Sequence, residues 1–535
     1  MALVTTLTAE KPLDKWFWLK WVLVLIIVFL IHLSTMGIAP FLHKDEFLIV
    51  DLGRIILHPD TDWSIAWMGN LDQPSFFLCY LGPVLQELSF QIAGEYGPRL
   101  SASIGALAAA TIVVKWLLCK GTTQTTSFIL GLVFLLDPIF VQAYGLARVD
   151  SWMMAFCIAS CWALSEITSK LPDIHFVKWK LMLAGALFTI GFFIWPTAVF
   201  FLPLILLELT CLVKKYPTAN RSWKRIVPCF LLFAVGSIFT GILLLVPILS
   251  IFFSPLYNLE GMETNVGVGL TKSGTQLLSY GVSQLVEIFR FLKYSAVLLV
   301  IAAIYAIRQR QIGLMIVLLM VVILMTFTKV YIHRVQYLLP YLIASVAGIY
   351  SLKKIPHRLT SLHIHNVILT VLLVWSVGLS LGARFILAND NAEERKRELL
   401  YRAAQNMIGV GNHGVFSSWE FYYPGRSLGW KMYVTYDTIL SVEGLTPILH
   451  HIDYVIVNSN EVTEDISLLL EKEGIRDRGI FDVYTTPREK DGKQSNIQRL
   501  RILFSIFRKP YGPYKLYARD QSPTSTVINT SQNSK

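Results

Sequence analysis

Two adjacent carboxylates, Asp45 and Glu46, follow a long apolar run by a few residues in Ile38-Ala39-Pro40-Phe41-Leu42-His43-Lys44-Asp45-Glu46. A carboxylate held at a membrane surface, between lipid and protein walls, can act as general base and take the proton of an acceptor hydroxyl. Either acid would equally cap the helix that follows, where negative charge is favoured. A second acid, Asp150, follows Arg148 in Tyr144-Gly145-Leu146-Ala147-Arg148-Val149-Asp150. If both segments lie on one membrane face, two chain-distant carboxylates and an arginine converge on one cavity.

Cations gather on the same face. Lys329-Val330-Tyr331-Ile332-His333-Arg334-Val335-Gln336-Tyr337 forms a short hinge between two apolar stretches. Its Lys329 and Arg334, with Arg148, could clamp a phosphate, the arginines through a bidentate fork; snorkelling to lipid headgroups is the competing use. Tyr144, His333 and Tyr337 are expected beside them, on the acceptor side. Asp60-Thr61-Asp62 resembles a metal-binding acid pair, so Asp60 and Asp62 are the metal candidates, although a polar turn before Trp63 is the simpler account. No other cofactor is implied. The aromatic tract Trp419 to Tyr423, with Trp430, Tyr433 and Tyr436, suits either sugar stacking or an ordinary core. A Gly-rich phosphate loop, a nucleophile elbow and a His-Glu-x-x-His motif are all missing from the sequence.

The elements that must position these residues are membrane helices. The chain has 535 residues, 54% hydrophobic and 16% charged, which excludes an ordinary soluble or disordered protein. Apolar windows long enough to cross a bilayer recur from Trp16 to Leu387, and their length excludes a transmembrane β-barrel. The pattern places eleven spans at about 16–38, 98–118, 124–142, 149–168, 181–194, 197–213, 226–252, 288–307, 312–328, 335–350 and 366–386.

Charge orients them. Of the net charge of +11, nearly all lies in residues 1–387, with 28 Lys/Arg against 18 Asp/Glu; residues 388–535 carry 19 against 18. Such a distribution speaks for topology and against nucleic-acid binding. With the N-terminus cytoplasmic, every inside loop is basic and the first outside segment, 39–97, is acidic. The apolar stretch 74–93 is then an amphipathic helix on the outer interface, because a span there would put the basic loops outside. The first apolar run, Trp21 to Leu33, reads as a retained signal anchor. Six cysteines, none after Cys229, show neither a disulfide framework nor metal spacing.

Three regions follow: a transmembrane part over 1–387, an outward α/β domain over 388–520, and a disordered polar tail over 521–535. The fold class is an all-α polytopic membrane protein with a C-terminal extracytoplasmic α/β domain. Strands are expected at His413–Trp419, Tyr454–Asn458, Phe481–Thr485 and Tyr514–Ala518, and a helix over Val462–Lys472.

In order along the membrane half, the chain resembles the integral-membrane C-type glycosyltransferases, the superfamily of the protein O-mannosyltransferases and bacterial aminoarabinose transferases. The resemblance rests on the first span, the Asp45-Glu46 loop with its Asp62-Trp63 step, and Gln73-Pro74-Ser75. It continues through Gly94-Glu95-Tyr96-Gly97-Pro98-Arg99-Leu100-Ser101, Ala147-Arg148-Val149-Asp150 and Arg334-Val335-Gln336-Tyr337-Leu338-Leu339-Pro340. It implies a catalytic carboxylate at Asp45, a second outer acid at Asp150, and transfer of a sugar from a polyprenyl-phosphate carrier to a hydroxyl of a lipid, glycan or protein acceptor, with inversion. Bacterial lipid A-modifying members carry a lysine where this chain has Gln73. That departure argues against aminoarabinose transfer and leaves Lys329 and Arg334 as phosphate ligands. In this scheme Asp45 is the base, and Glu46 and Asp150 orient it or the acceptor. The competing class is a lipid-linked-glycan transporter or export component, against which stand the few charges within spans and the lack of internal repeats. Exported cysteine-free sequence and the lack of organellar signals suit a bacterial inner membrane.

Overall fold

The structure is a computed structural model that describes residues 15–38, 44–58, 79–169, 174–215, 223–249, 274–351, 359–389, 396–433, 442–483 and 511–520. The helical part runs α1 (Phe17–Thr35), α2 (Lys44–Leu57), α3 (Leu81–Ala93), α4 (Gly97–Cys119), α5 (Gln124–Leu135), α6 (Pro138–Gly145), α7 (Asp150–Ser169) and α8 (Ile174–Ile194). It continues through α9 (Leu202–Lys215), α10 (Trp223–Leu245), α11 (Gly274–Leu292), α12 (Ala296–Arg308), α13 (Ile312–Thr326), α14 (Leu339–Ala347), α15 (Leu359–Val377) and α16 (Ala383–Asn389).

Seven helical runs among the described residues are long and apolar enough to cross a membrane, or eight if α5 and α6 count as one broken span. The protein is an integral membrane protein. Eleven expected spans exceed that number for physical reasons. Helix α7 is enclosed by its neighbours along most of its length and needs no lipid-facing stripe. Helix α13 has only 15 residues, and the stretch expected at 335–350 is divided between a 3-10 segment, Ile332–Leu338, and the nine residues of α14.

The run Leu81–Cys119 would be about 58 Å long as one straight helix, roughly twice the apolar thickness of a bilayer. It is folded at Gly94, whose φ of 58° belongs to the left-handed region. The fold-back is so tight that a Cβ on Gly97 would lie 1.8 Å from the Ser89 carbonyl oxygen. Helix α3 therefore leaves the line of α4. Tyr80, at its start, donates to the Leu244 carbonyl at the end of α10. A Cβ on Gly82 would meet the Ile194 carbonyl at the end of α8, so α3 lies across the ends of the bundle. Helix α2 packs on α3 where Gly53 lets the backbones meet, 2.1 Å separating its would-be Cβ from the Pro83 carbonyl.

Beyond α16 come α17 (Arg397–Met407), β1 (Gly414–Ser417), α18 (Tyr422–Ser427), β2 (Lys431–Tyr433), α19 (Val442–Leu445), β3 (Tyr454–Asn458), α20 (Glu464–Lys472), β4 (Ile475–Phe481) and β5 (Tyr514–Arg519). The five strands form one sheet in the order β2-β1-β3-β5-β4. The pairs β1–β2 and β1–β3 are parallel, whereas β3–β5 and β4–β5 are antiparallel. Alternation along each strand gives the sheet two apolar faces. Val415, Ile456, Tyr514 and Leu516 face α17 together with Phe47, Leu48 and Val50 of α2. Phe416, Val455, Val457 and Tyr517 face Leu445, Ile448, Ile466 and Leu470. The sheet thus rests on the helix that carries Asp45.

Three expected strands are present at β1, β3 and β5. The fourth lies earlier than expected: β4 ends at Phe481, where the expected strand would start, and β2 was not anticipated. The end of Phe481–Thr485 and the tail 521–535 fall outside the described residues.

Candidate active site

Successive residues on a helix point about 100° apart, so Asp45 and Glu46 cannot face the same cavity. Asp45 accepts from Arg148 Nη1, and His333 Nε2 stands 3.8 Å from its Oδ2. Glu46 is fully buried and turns instead to Arg99, which reaches it through Nη2 at 2.8 Å and Nε at 3.1 Å. Arg397 of α17 completes that cluster, 3.6 Å from Glu46 and 3.2 Å from Glu95. Burial drives the Glu95 carboxyl above the usual range, and Arg397 opposes the rise.

Arg148 is the hub of the Asp45 side. Its Nε donates to Asp150 Oδ2 at 2.7 Å while Nη1 serves Asp45, so one guanidinium joins two acids from different segments. Burial works against its charge, but Asp150 and then Asp45 outweigh that cost and hold the guanidinium above its ordinary range. The other Asp150 oxygen accepts from the Tyr337 hydroxyl, which in turn accepts from Thr197 at 2.8 Å. The backbone beside Arg148 is unusual: Ala147 has a φ of 56°, a conformation disfavoured for a residue with a Cβ. Its carbonyl is held at 2.7 Å by the Gln86 amide of α3. Helix α3 therefore fixes the turn that aims the arginine.

The hinge supplies the cations. Lys329 and Arg334 both lie over the Tyr331 ring, each 5.4 Å from its centroid, and His333 stacks on the same ring at 5.6 Å. The Arg334 guanidinium has no hydrogen bond or ion pair among the described residues. Burial lowers its pKa, and the like charge of Arg148 adds to the effect. A half-buried guanidinium with no ion-pair partner among the described residues, felt by Asp150 only at a distance, is a place for an anion.

Asp45, Asp150, Arg148, His333 and Tyr337 thus meet at one place, with Arg334 and Lys329 at its hinge. Glu46 and Tyr144 do not join them. The Tyr144 hydroxyl is 2.7 Å from His32 Nε2 of α1 and sits in the helical core. Asp60 and Asp62 fall outside the described residues. Among the described residues no group of three His, Cys, Asp or Glu side chains could hold a metal ion. Gln86 and Thr197 were not anticipated, since neutral polar side chains within apolar stretches carry no signal of their own.

No family model matches the sequence, and no curated protein matches it. Solved structures do. The structure of ArnT from Cupriavidus metallidurans bound to undecaprenyl phosphate aligns with a TM-score of 0.57 at 10% identity, covering 93% of this chain and 98% of that one. Arabinofuranosyltransferase AftD from Mycobacteria aligns with a TM-score of 0.52 at 13% identity, over 94% of this chain and 40% of that one. The chain therefore has the fold of the C-type membrane glycosyltransferases, the superfamily of these neighbours.

Proposed function

We propose that the protein transfers a sugar from a polyprenyl-phosphate carrier to a hydroxyl of a lipid, glycan or protein acceptor. The observation that carries this reading is the Asp45–Arg148–Asp150 bridge beside an Arg334 that has no counter-ion among the described residues. The shared fold supports the general kind of reaction. Asp45 takes the acceptor's proton as the acceptor oxygen bonds to the anomeric carbon from the face opposite the leaving group. The carbon–oxygen bond to the carrier breaks, its electron pair leaves with the lipid phosphate, and Arg334 and Lys329 neutralise the charge that develops. Inversion follows from the single displacement. Asp150 acts through Arg148, keeping it between the two acids.

In this reading α7, α13 and the stretch from Ile332 to Ala347 complete eleven crossings. The N-terminus is cytoplasmic, and the sheet region, as a domain over 388–520, is extracytoplasmic at a bacterial inner membrane. The charge pattern of the loops supports that orientation.

The test is Asp45→Asn in reconstituted membranes with radiolabelled polyprenyl-phosphate sugars and extracted envelope acceptors. Wild type moves label to an acceptor, and the folded variant falls by a factor of about a hundred or more. Equal transfer by both would reduce Asp45 to a helix cap. Label that crosses the membrane unchanged in both would favour a lipid-linked-glycan transporter.

A further inference from the structure

We propose that the Gln336 carboxamide is a contact for a hydroxyl of the transferred sugar. The inference deepens the function proposed above and rests on its donor. Gln336 is fully buried, and among the described residues neither its Oε1 nor its Nε2 has a hydrogen-bond partner. Leaving a buried donor and acceptor unmade costs a folded chain the desolvation of each group, so such an amide is rarely left without purpose.

Its position supplies the purpose. The 3-10 segment Ile332–Leu338 has three residues per turn, so residues three apart share a face. Val335 and Leu338 form a face turned to the helical core, into which the Tyr337 ring also packs. Arg334 and Tyr337 form the second, Tyr337 bonded to Asp150. His333 and Gln336 form the third, and His333 there stands 3.8 Å from Asp45. Gln336 thus lies one turn along the face that addresses the proposed base. It is two residues, or about 4 Å of rise, from the cation proposed for the donor phosphate. A sugar esterified to that phosphate is within reach of both.

The chemistry selects the ligand group. A phosphate only accepts and would leave Oε1 unpaired, whereas an ammonium only donates and would leave Nε2 unpaired. A hydroxyl donates and accepts, and neighbouring sugar hydroxyls satisfy both ends of a carboxamide.

The test compares wild type and Gln336→Met in lipid nanodiscs. Binding is measured for undecaprenyl phosphate and for the same carrier bearing mannose or arabinofuranose, and thermal unfolding is measured without ligand. In wild type at least one sugar-bearing carrier binds roughly tenfold tighter than the bare carrier. In the variant that increment disappears, the affinity for bare carrier is unchanged, and the melting temperature is equal or higher, because an unsatisfied amide has been replaced by an apolar isostere. Gln336→Asn, which withdraws the amide by one methylene, keeps a reduced increment. An increment that survives in Gln336→Met overturns the proposal, as does the lack of any increment in wild type. A variant that melts lower or fails to fold also overturns it, by showing the amide to be satisfied inside the protein. If wild type fails to bind even the bare carrier, the donor assignment itself has failed.

Discussion

Arg426 of α18 grips Glu87 of α3 with Nη1 and Nη2, at 2.8 and 2.9 Å, while its planar group lies 4.4 Å over the Phe90 ring. Glu87 is fully buried and also accepts from Gln91. The pair ties the sheet region to helix α3, which, through Gln86, holds the turn beside Arg148. Breaking one side of such a pair leaves a buried charge alone, which costs about 3–5 kcal/mol, whereas replacing both partners by apolar residues costs far less. Arg426→Ala should therefore lower the unfolding midpoint in detergent sharply, and the Glu87→Met/Arg426→Met double variant should recover most of the loss. Equal destabilisation by single and double variants would refute the coupling.

Arg148→Lys keeps the charge but not the fork. An ammonium cannot hold Asp45 and Asp150 in the same fixed geometry as Nη1 and Nε of one planar group. Turnover should fall by about a hundredfold while carrier binding changes little, since a small misplacement of a reacting group costs that much. Steady-state kinetics of the purified variant would check this, and an unchanged turnover would count against the bridge.

Arg334 and Lys329 share the Tyr331 ring but differ in burial: Arg334 is half-buried and Lys329 exposed. Charge–charge attraction grows as water is excluded. Arg334→Gln is thus expected to weaken polyprenyl-phosphate binding by at least tenfold, with a smaller loss for Lys329→Gln that fades as salt is raised. Calorimetric titration at two ionic strengths separates them; equal losses from both would argue against a specific phosphate clamp.

Glu95 offers a test of pH. Burial raises its folded pKa above the unfolded value, so its contribution to stability is fully present below the ordinary glutamate range and is lost as pH rises through the raised value. Glu95→Gln, which stays neutral, should flatten that part of the stability–pH curve. Thermal melts from pH 4 to 7 would show it, and parallel curves for variant and wild type would contradict the assignment.

The residues that sequence made legible are those whose charge is costly in an apolar setting. Asp45, Arg148 and Asp150 stand out against their surroundings, and the loop charges put them on one face. Glu46 turns away from Asp45 because adjacent residues diverge on a helix, and its partners Arg99 and Arg397 are remote in the chain, where sequence gives no sign of them. Tyr144 likewise has a neighbour that sequence does not reveal, His32 of α1. Gln336 and Gln86 carry no charge, and their significance lies in the bonds each does or does not make. Strand β4 escaped notice because an edge strand with most side chains in solvent, Arg476-Asp477-Arg478 among them, lacks the apolar alternation that marks a strand. The fold at Gly94 was visible only as a conflict between charge and hydropathy, which loop charge resolved.

Helix α2 carries its acid on one side and on the other is covered by Leu400, Tyr422 and Leu516; Tyr422 reaches Asp51 across 371 positions of sequence. Contacts this distant form late, after the loop-closure entropy of the whole intervening chain has been met. Helix α2 precedes strands β1 to β5 in the chain, so its cover is completed only after those strands have been made, and a chain cut before them leaves that side of α2 bare.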